Sequence, residues 1–296
     1  MIFLYKYKIS DLIVEFKGEI HDTVLKKCEP YLCSDDLNTD VSVNISFSDE
    51  RFNVENNENT YGSGDEFWEQ TDGHIIEYLL PDNDAKFLVK IDYYDSGKTV
   101  DVYMFDAKKH YDSDDTYYLS NTLSIMFHYL ALLNNRLVLH SSSVCADGYG
   151  VAFSADSGVG KSTHTSLWMK YVPGCEYIND DTPVIYNDNG QIFIYGSPFA
   201  GSTGINTNVK VPLKAIVFLK RGVTNSITKL DTHSALPLMF KQLVQPLAGN
   251  YLDKLIPTLS DILSIVPVYE LHCNMEFDAV KTSYEEIFNK QLKNNI

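Results

Sequence analysis

Val151-Ala-Phe-Ser-Ala-Asp-Ser-Gly-Val-Gly-Lys-Ser-Thr163 joins three kinds of local structure in one short stretch. Val151 to Ser154 is an apolar run fit for a buried strand, and Asp156 to Lys161 is too rich in glycine and small polar residues to continue it. From Ser162 the spacing turns helical, with Leu167, Trp168 and Tyr171 on one side. A strand, a tight loop and a helix start leave the loop's amides without strand partners. They can turn inward as an anion nest, with the positive end of the helix behind them. A polyphosphate suits such a nest. Ser157, Gly158, Val159, Gly160, Lys161, Ser162 and Thr163 are therefore the candidate phosphate-binding residues for ATP. Lys161 would act as a point charge on the β and γ phosphates and the Ser162 hydroxyl would hold Mg²⁺. The pattern is Walker A, G-x-x-x-x-G-K-[ST], except that Ala155 replaces the first glycine. Alanine resists positive φ by about 1 kcal/mol, so position 155 is expected to have ordinary φ and the bends to fall at Gly158 and Gly160. A Gly-Ser turn with a solvated lysine is the plain alternative.

Other candidate residues lie on either side of that loop in the chain. His140 follows Leu137-Val-Leu139 on a strand expected to pair with the strand that enters the loop, through a hairpin turn at Asp147-Gly148 and Gly150. Such a histidine is either structural or part of the site. Asp180-Asp181 falls between Glu176-Tyr-Ile-Asn179 and a hairpin made of Thr182 to Tyr186, Asn187 to Gly190 and Gln191 to Tyr195. Adjacent side chains of a regular strand face opposite ways, so both acids can address one site only at a strand end or bulge. Pro183 makes an irregularity there, because it removes a ladder donor and restricts Thr182. In phosphoryl transfer one carboxylate can bind Mg²⁺, as Asp181 would with Ser162, and one can accept the proton of an incoming hydroxyl. Which of Asp180 and Asp181 takes which task is open at this level. Arg221, closing the strand Ala215 to Leu219 with Lys220, is a planar cation able to clamp a γ phosphate, or else part of a surface turn. Ser197 to Thr203 could close over substrate or merely connect strands.

The 296-residue chain carries 24 Lys and Arg against 40 Asp and Glu, a net charge of −16. That balance repels nucleic acid and anionic membranes and favours a small-molecule or protein-directed role. ATP is also an anion, so its pocket must be a local positive island. Cys28, Cys33, Cys145, Cys175 and Cys273 are scattered without a C-x-x-C pair and read as reduced thiols. Met1-Ile-Phe-Leu-Tyr meets Lys6 and Lys8 without the apolar run of a leader, and Leu123 to Leu133 is too short to span a bilayer. A cytoplasmic location is the expectation.

Residues 1–112 read as a β-rich N-terminal domain. Val41, Val43, Ile45 and Phe47, then Val100, Val102 and Met104, alternate with polar neighbours. Ile75 to Leu80 and Phe87 to Tyr93 add strands around the turn Pro81 to Asp84, so a meander or small antiparallel sheet is expected. Residues 113–296 read as an α/β domain built on the Walker A loop. It begins with a helix from Thr116 to Leu133, capped by Asp115, and ends with helices near Ser234, Leu252 and Asp278 around a strand at Val266 to Leu271.

From Leu139-His140 through Asp156-Ser-Gly-Val-Gly-Lys-Ser162 to Asn179-Asp-Asp181 the sequence resembles the catalytic domain of the HPr kinase/phosphorylase family. That family is structurally similar to the ATP-dependent phosphoenolpyruvate carboxykinases. Its members carry a Leu-His strand end, a Gly-Asp-Ser-Gly-x-Gly-Lys-Ser loop and an Asp-Asp pair at similar spacings. The resemblance covers roughly residues 136 to 222. It implies that His140 lies in the active site, that Lys161 and Ser162 hold phosphate and Mg²⁺, and that Asp180 and Asp181 divide the base and metal work. It also implies a mixed, partly antiparallel P-loop sheet, and an ATP-dependent kinase acting on a hydroxyl of a peptide, protein or small molecule. Hexamers occur in the family, which implies a homo-oligomer. The family's Glu-x-Arg-Gly-Leu-Gly segment is absent, with Tyr195-Gly-Ser-Pro-Phe-Ala-Gly-Ser202 in its place, so HPr itself is not implied as the acceptor. Two other readings stay open. A carboxykinase would need a second metal site of His and Lys, with His140 and His164 the histidines nearby; a nucleotide-gated binding module would need no turnover at all.

Overall fold

The computed structural model describes residues 3–18, 20, 22–54, 60–63, 65–71, 74–81, 86–111, 116–201, 203–244 and 251–293. The chain is α/β, with two mixed sheets in two units: Met1–Asn134 with Gln245–Lys254, and Asn135–Val244 with Leu255–Ile296.

The first unit is built on β1 (Phe3–Ile9), β2 (Leu12–Gly18), β3 (Val41–Ser48), β4 (Thr60–Ser63), β5 (Glu66–Thr71), β6 (His74–Pro81), β7 (Phe87–Tyr94) and β8 (Thr99–Phe105). They lie in the order β1-β2-β3-β8-β7-β6-β5-β4. The expected all-antiparallel sheet is corrected here, since β2 with β3 and β3 with β8 run parallel. Parallel neighbours need a crossover, and the helix α1 (Asp22–Cys28) lies in the connection from β2 to β3. Phe16, Val43, Val100 and Tyr93 stand side by side across four strands and are all buried. After α2 (Ala107–Tyr111) comes α3 (Thr116–Leu133), whose Tyr129 packs edge-on against Trp68 and Tyr93 at centroid distances of 5.1 and 4.9 Å. The first compact unit accordingly runs to Asn134 and includes this helix, whose Tyr129 is buried on the first sheet. The cap expected at Asp115 and the turn residues 82–84 lie outside the described residues.

Register also places Glu77 between Ile91 and Trp68 on the apolar face, with no exposed surface. Tyr93 Oη donates to its Oε2 at 2.5 Å, while its Oε1 is buried without a partner. Burial, and then the charge of Glu66, raises the Glu77 carboxyl well above its ordinary 4.5 despite the Tyr93 hydrogen bond. The folded unit thus keeps a proton that the unfolded chain gives up above about pH 4.5. This contribution to stability is complete below that pH and falls by about 1.4 kcal/mol per pH unit until Glu77 ionises in place. Glu77→Gln is accordingly expected to raise the melting temperature at pH 8 more than at pH 4. Fluorescence in a Trp168→Phe background, where Trp68 is the remaining tryptophan, reads this directly. Equal effects at both pH values would contradict a neutral buried acid.

The second unit contains β9 (Arg136–Val138), β10 (Ser141–Ala146), β11 (Tyr149–Ser154), α4 (Lys161–Tyr171), β12 (Glu176–Asn179), β13 (Val184–Asp188) and β14 (Gln191–Tyr195). It continues with β15 (Lys210–Arg221), β16 (Ser226–Leu230), α5 (Thr232–Gln242), α6 (Tyr251–Ile265, which begins in the first unit), β17 (Val268–Cys273) and α7 (Phe277–Phe288). β11 lies between antiparallel β10 and parallel β15. The long β15 pairs with β14 antiparallel at its start and with β17 parallel at its end. Asp147 and Gly148 turn β10 into β11, and Asn189 and Gly190 turn β13 into β14, each pair at positive φ as a tight hairpin requires. Trp168 of α4 packs on Phe153 of β11 and Tyr284 of α7, at the centre of a core that includes Val217 and Leu219. The five cysteines are free thiols. Among the described residues no helix is long and apolar enough to cross a membrane.

Candidate active site

The stretch from β11 to α4 bends where glycine was expected to allow it, with φ of 74° at Gly158 and 123° at Gly160. Ala155 is buried and is not among the positive-φ residues. The Val159 N–H donates to the Asp156 carbonyl at 3.2 Å, which closes the turn. Gly160 is the N-cap of α4, no side chain caps it, and the first turn holds no acid. The positive end of this 11-residue helix is therefore left for an anion.

Cations gather around that end. Lys161 Nζ donates to the Ala155 carbonyl at 3.2 Å; burial lowers its pKa, and the charges of Asp181 and Asp156 oppose the shift. Because β15 runs parallel to β11, the two strands end on the same edge, and Arg221 Nη2 donates to the Gly158 carbonyl at 2.5 Å. From the end of α5, Lys241 Nζ and Gln242 Nε2 donate to Asp156 at 2.7 and 2.9 Å. The Lys241 hydrogen bond holds the Asp156 carboxyl below its usual range, with lesser help from the charge of Lys220. Lys161, Lys220, Lys241 and Arg221 thus stand near Asp156 and Asp181, a local excess of positive charge within a chain of net charge −16.

The aspartates follow the end of β12, where regular alternation stops. Asn179 Oδ1 accepts from the N–H groups of Asp181 and Thr182 at 2.9 and 2.7 Å, and its Nδ2 donates to the carbonyls of Ser197 and Phe199 at 3.1 and 3.3 Å. This bend sends the two acids different ways. Asp181 Oδ1 lies 3.2 Å from His140 Nε2, with side chains 37% and 40% exposed. Asp180 is 7% exposed; its Oδ1 accepts from the Gly201 N–H at 2.9 Å and its Oδ2 from the Thr203 hydroxyl. A Cβ on Gly201 would stand 3.1 Å from Asp181 Cβ, so the connecting loop lies directly against the acids. His140 is itself fixed between the loop strand and α5. Its carbonyl accepts from Ser154 Oγ at 2.8 Å, and its N–H donates to the Gln242 carbonyl at 2.8 Å.

Lys161, Arg221, Asp181 and His140 thus gather around residues 155–163, while Asp180 is turned toward Gly201 and Thr203. Ser157, Ser162 and Thr163 are exposed on the loop and first helical turn. Sequence reasoning missed Asn179, Gly201, Lys241 and Gln242. Only Asn179 had a local signal, an asparagine able to bond backbone two and three residues on.

A cavity of about 240 Å³ opens beside the start of α4, lined by Val159, Thr163 and Leu167 together with Leu219, Arg221 and Met275. It lies toward β15 and β17, whereas the aspartates follow β12 on the β10 side of β11. Among the described residues no group of three or more His, Cys, Asp and Glu could hold a metal ion. Ser162, exposed at the start of α4, carries a hydroxyl, and Asp181, part-exposed, a carboxylate, both oxygen types that Mg²⁺ takes when nucleotide phosphates and water complete its shell. His164 is buried, its Nε2 accepts from Trp168 Nε1 at 3.2 Å, and burial pushes its pKa down to about 3, which marks it as a core residue.

No protein-family model matches this chain, and no curated protein does. Among solved structures, the HPr(Ser) kinase/phosphatase from Coxiella burnetii is similar over 51% of this chain and 93% of that one, with 10% identity and a TM-score of 0.27. A likeness of that degree supports no statement about activity.

Proposed function

We propose that the second unit is an ATP- and Mg²⁺-dependent phosphotransferase that moves the γ phosphate to a hydroxyl group. One observation carries the reading: an uncapped helix start, two cations held at its loop, and an Asp–His pair just after β12 and just before β10 converge on one sheet edge. The phosphates would rest on the amides of residues 157–163, and the base would enter the apolar cleft between Leu167 and Met275. Mg²⁺, held by the Ser162 hydroxyl and the nucleotide phosphates, would neutralise phosphate charge, and the Asp181 carboxylate would serve the proton and not the metal. Lys161 and Arg221 would stabilise charge on the oxygens of the group in transfer. Asp180, whose two oxygens accept from the Gly201 N–H and the Thr203 hydroxyl, would be a positioning residue, and Asp181 would be the proton acceptor. The acceptor oxygen bonds to the γ phosphorus as the bond to the β-phosphate oxygen breaks, the hydroxyl proton passes to Asp181, and ADP leaves. His140 Nε2–H, donating to Asp181 Oδ1, would hold that carboxylate in place.

The test is ADP release from Mg·ATP with and without added hydroxyl compounds. Acceptor-dependent ADP release is expected. Nucleotide binding that yields no ADP with any acceptor would reduce the unit to a binding module.

A further inference from the structure

The large cleft shares Val159, Leu219 and Lys220 with a second recess, of about 50 Å³, that lies between the loop and the end of α5. Asp156, Leu238, Lys241 and Gln242 close it. Gln242, which helps to close the recess, is bonded through its backbone carbonyl to the N–H of His140, the histidine paired with Asp181, whereas the large cleft reaches Cys273, Asn274 and Met275 after β17. A kinase needs a second place beside its nucleotide cleft, because the acceptor must reach the γ phosphate from the side opposite the leaving nucleotide.

We propose that the recess receives the acceptor, and that the acceptor is a small hydroxyl compound bearing a carboxylate or phosphate, which rests on Lys241 and Lys220. This rests on the phosphotransferase reading. Two lysines face one acid there, an excess of positive charge in a chain whose net charge is −16. The acid is held by exposed partners: the Lys241 and Asp156 side chains are 60% and 50% exposed, and a water-screened contact of that kind is readily exchanged for a ligand anion. The recess, about 50 Å³ against about 240 Å³ for the cleft beside it, has room for an anionic group of a few atoms. Leu238 and Phe218 supply an apolar wall for a short carbon chain.

The experiment is amine labelling of the full chain, read lysine by lysine by mass spectrometry, with Mg²⁺ and a non-hydrolysable ATP analogue present. Glycerol, D-glycerate and glycerol 3-phosphate are added in parallel, so that skeleton and hydroxyls are shared and only the anion differs. One or both anions are expected to slow labelling of Lys241 about tenfold as their concentration passes about ten times Kd, with glycerol inert. Which anion protects identifies carboxylate or phosphate as the recognised group. Three results overturn the proposal: neither anion protects Lys241 up to about 10 mM, beyond the millimolar range of weak sites; glycerol protects as well as the anions; or the analogue alone removes Lys241 reactivity and the anions add nothing. Lys161 serves as the internal marker. If the analogue leaves Lys161 reactive, the nucleotide reading and this proposal fall together. If Lys161 is protected and Lys241 ignores the anions, this proposal falls alone.

Discussion

Asp181→Asn is expected to lower acceptor phosphorylation by about 10²–10⁴-fold while leaving the affinity for nucleotide close to that of the unaltered chain. The amide keeps the size of the carboxylate and can still accept from His140, but it cannot take a proton from an incoming hydroxyl. Asp180 gives the contrast. It has the same side chain one residue away, yet its oxygens are occupied by the Gly201 N–H and the Thr203 hydroxyl in a nearly closed environment. Asp180→Ala removes a buried acceptor of two hydrogen bonds, at a cost of about 1–3 kcal/mol in all. Its expected signature is a lower melting temperature and a higher KM for the acceptor, with a smaller fall in kcat than Asp181→Asn produces. Turnover lost through Asp180→Asn at unchanged stability, with Asp181→Asn active, would reverse the assignment.

Lys161→Met carries the other large effect, a fall in kcat/KM for Mg·ATP of about a thousandfold, or about 4 kcal/mol. Methionine preserves an unbranched stem of similar reach without the charge. Burial lowers the pKa of Lys161, so its charge is held against the preference of its surroundings, and removing it is not expected to cost folding stability. Activity should therefore disappear from a protein that melts at the same temperature or slightly above. A variant that unfolds early would mean that Lys161 is a structural residue of the loop and not a ligand for phosphate.

What could be read from the chain in advance were features whose causes are local. The turn from Ser154 into the loop, the positive φ at Gly158 and Gly160, and the hairpins at Asp147-Gly148 and Asn189-Gly190 depend on residues within a few positions of one another. The irregularity at Asp180-Asp181 was legible for the same reason, although its cause is the Asn179 side chain more than Pro183. What escaped depends on partners far along the chain. The parallel pairing of β2, β3 and β8 is a choice of topology that alternation cannot express. The allegiance of α3 is decided by Trp68 and Tyr93, and β16 is too exposed to show a two-residue period. Lys241 reaches Asp156 across 85 positions, and nothing in the sequence near either residue announces the pairing.

The claim on which the site depends is that the backbone amides of residues 157–163 hold a triphosphate, and hydrogen exchange at those amides measures it without reference to any acceptor. With Mg·ATP added to the full chain, exchange at Ser157 to Thr163 should slow well beyond that of β1 to β8 in the first unit, and Lys161→Met should abolish most of the difference. Exchange at these amides that is the same with and without saturating Mg·ATP would contradict a phosphate cradle, whatever else the protein binds.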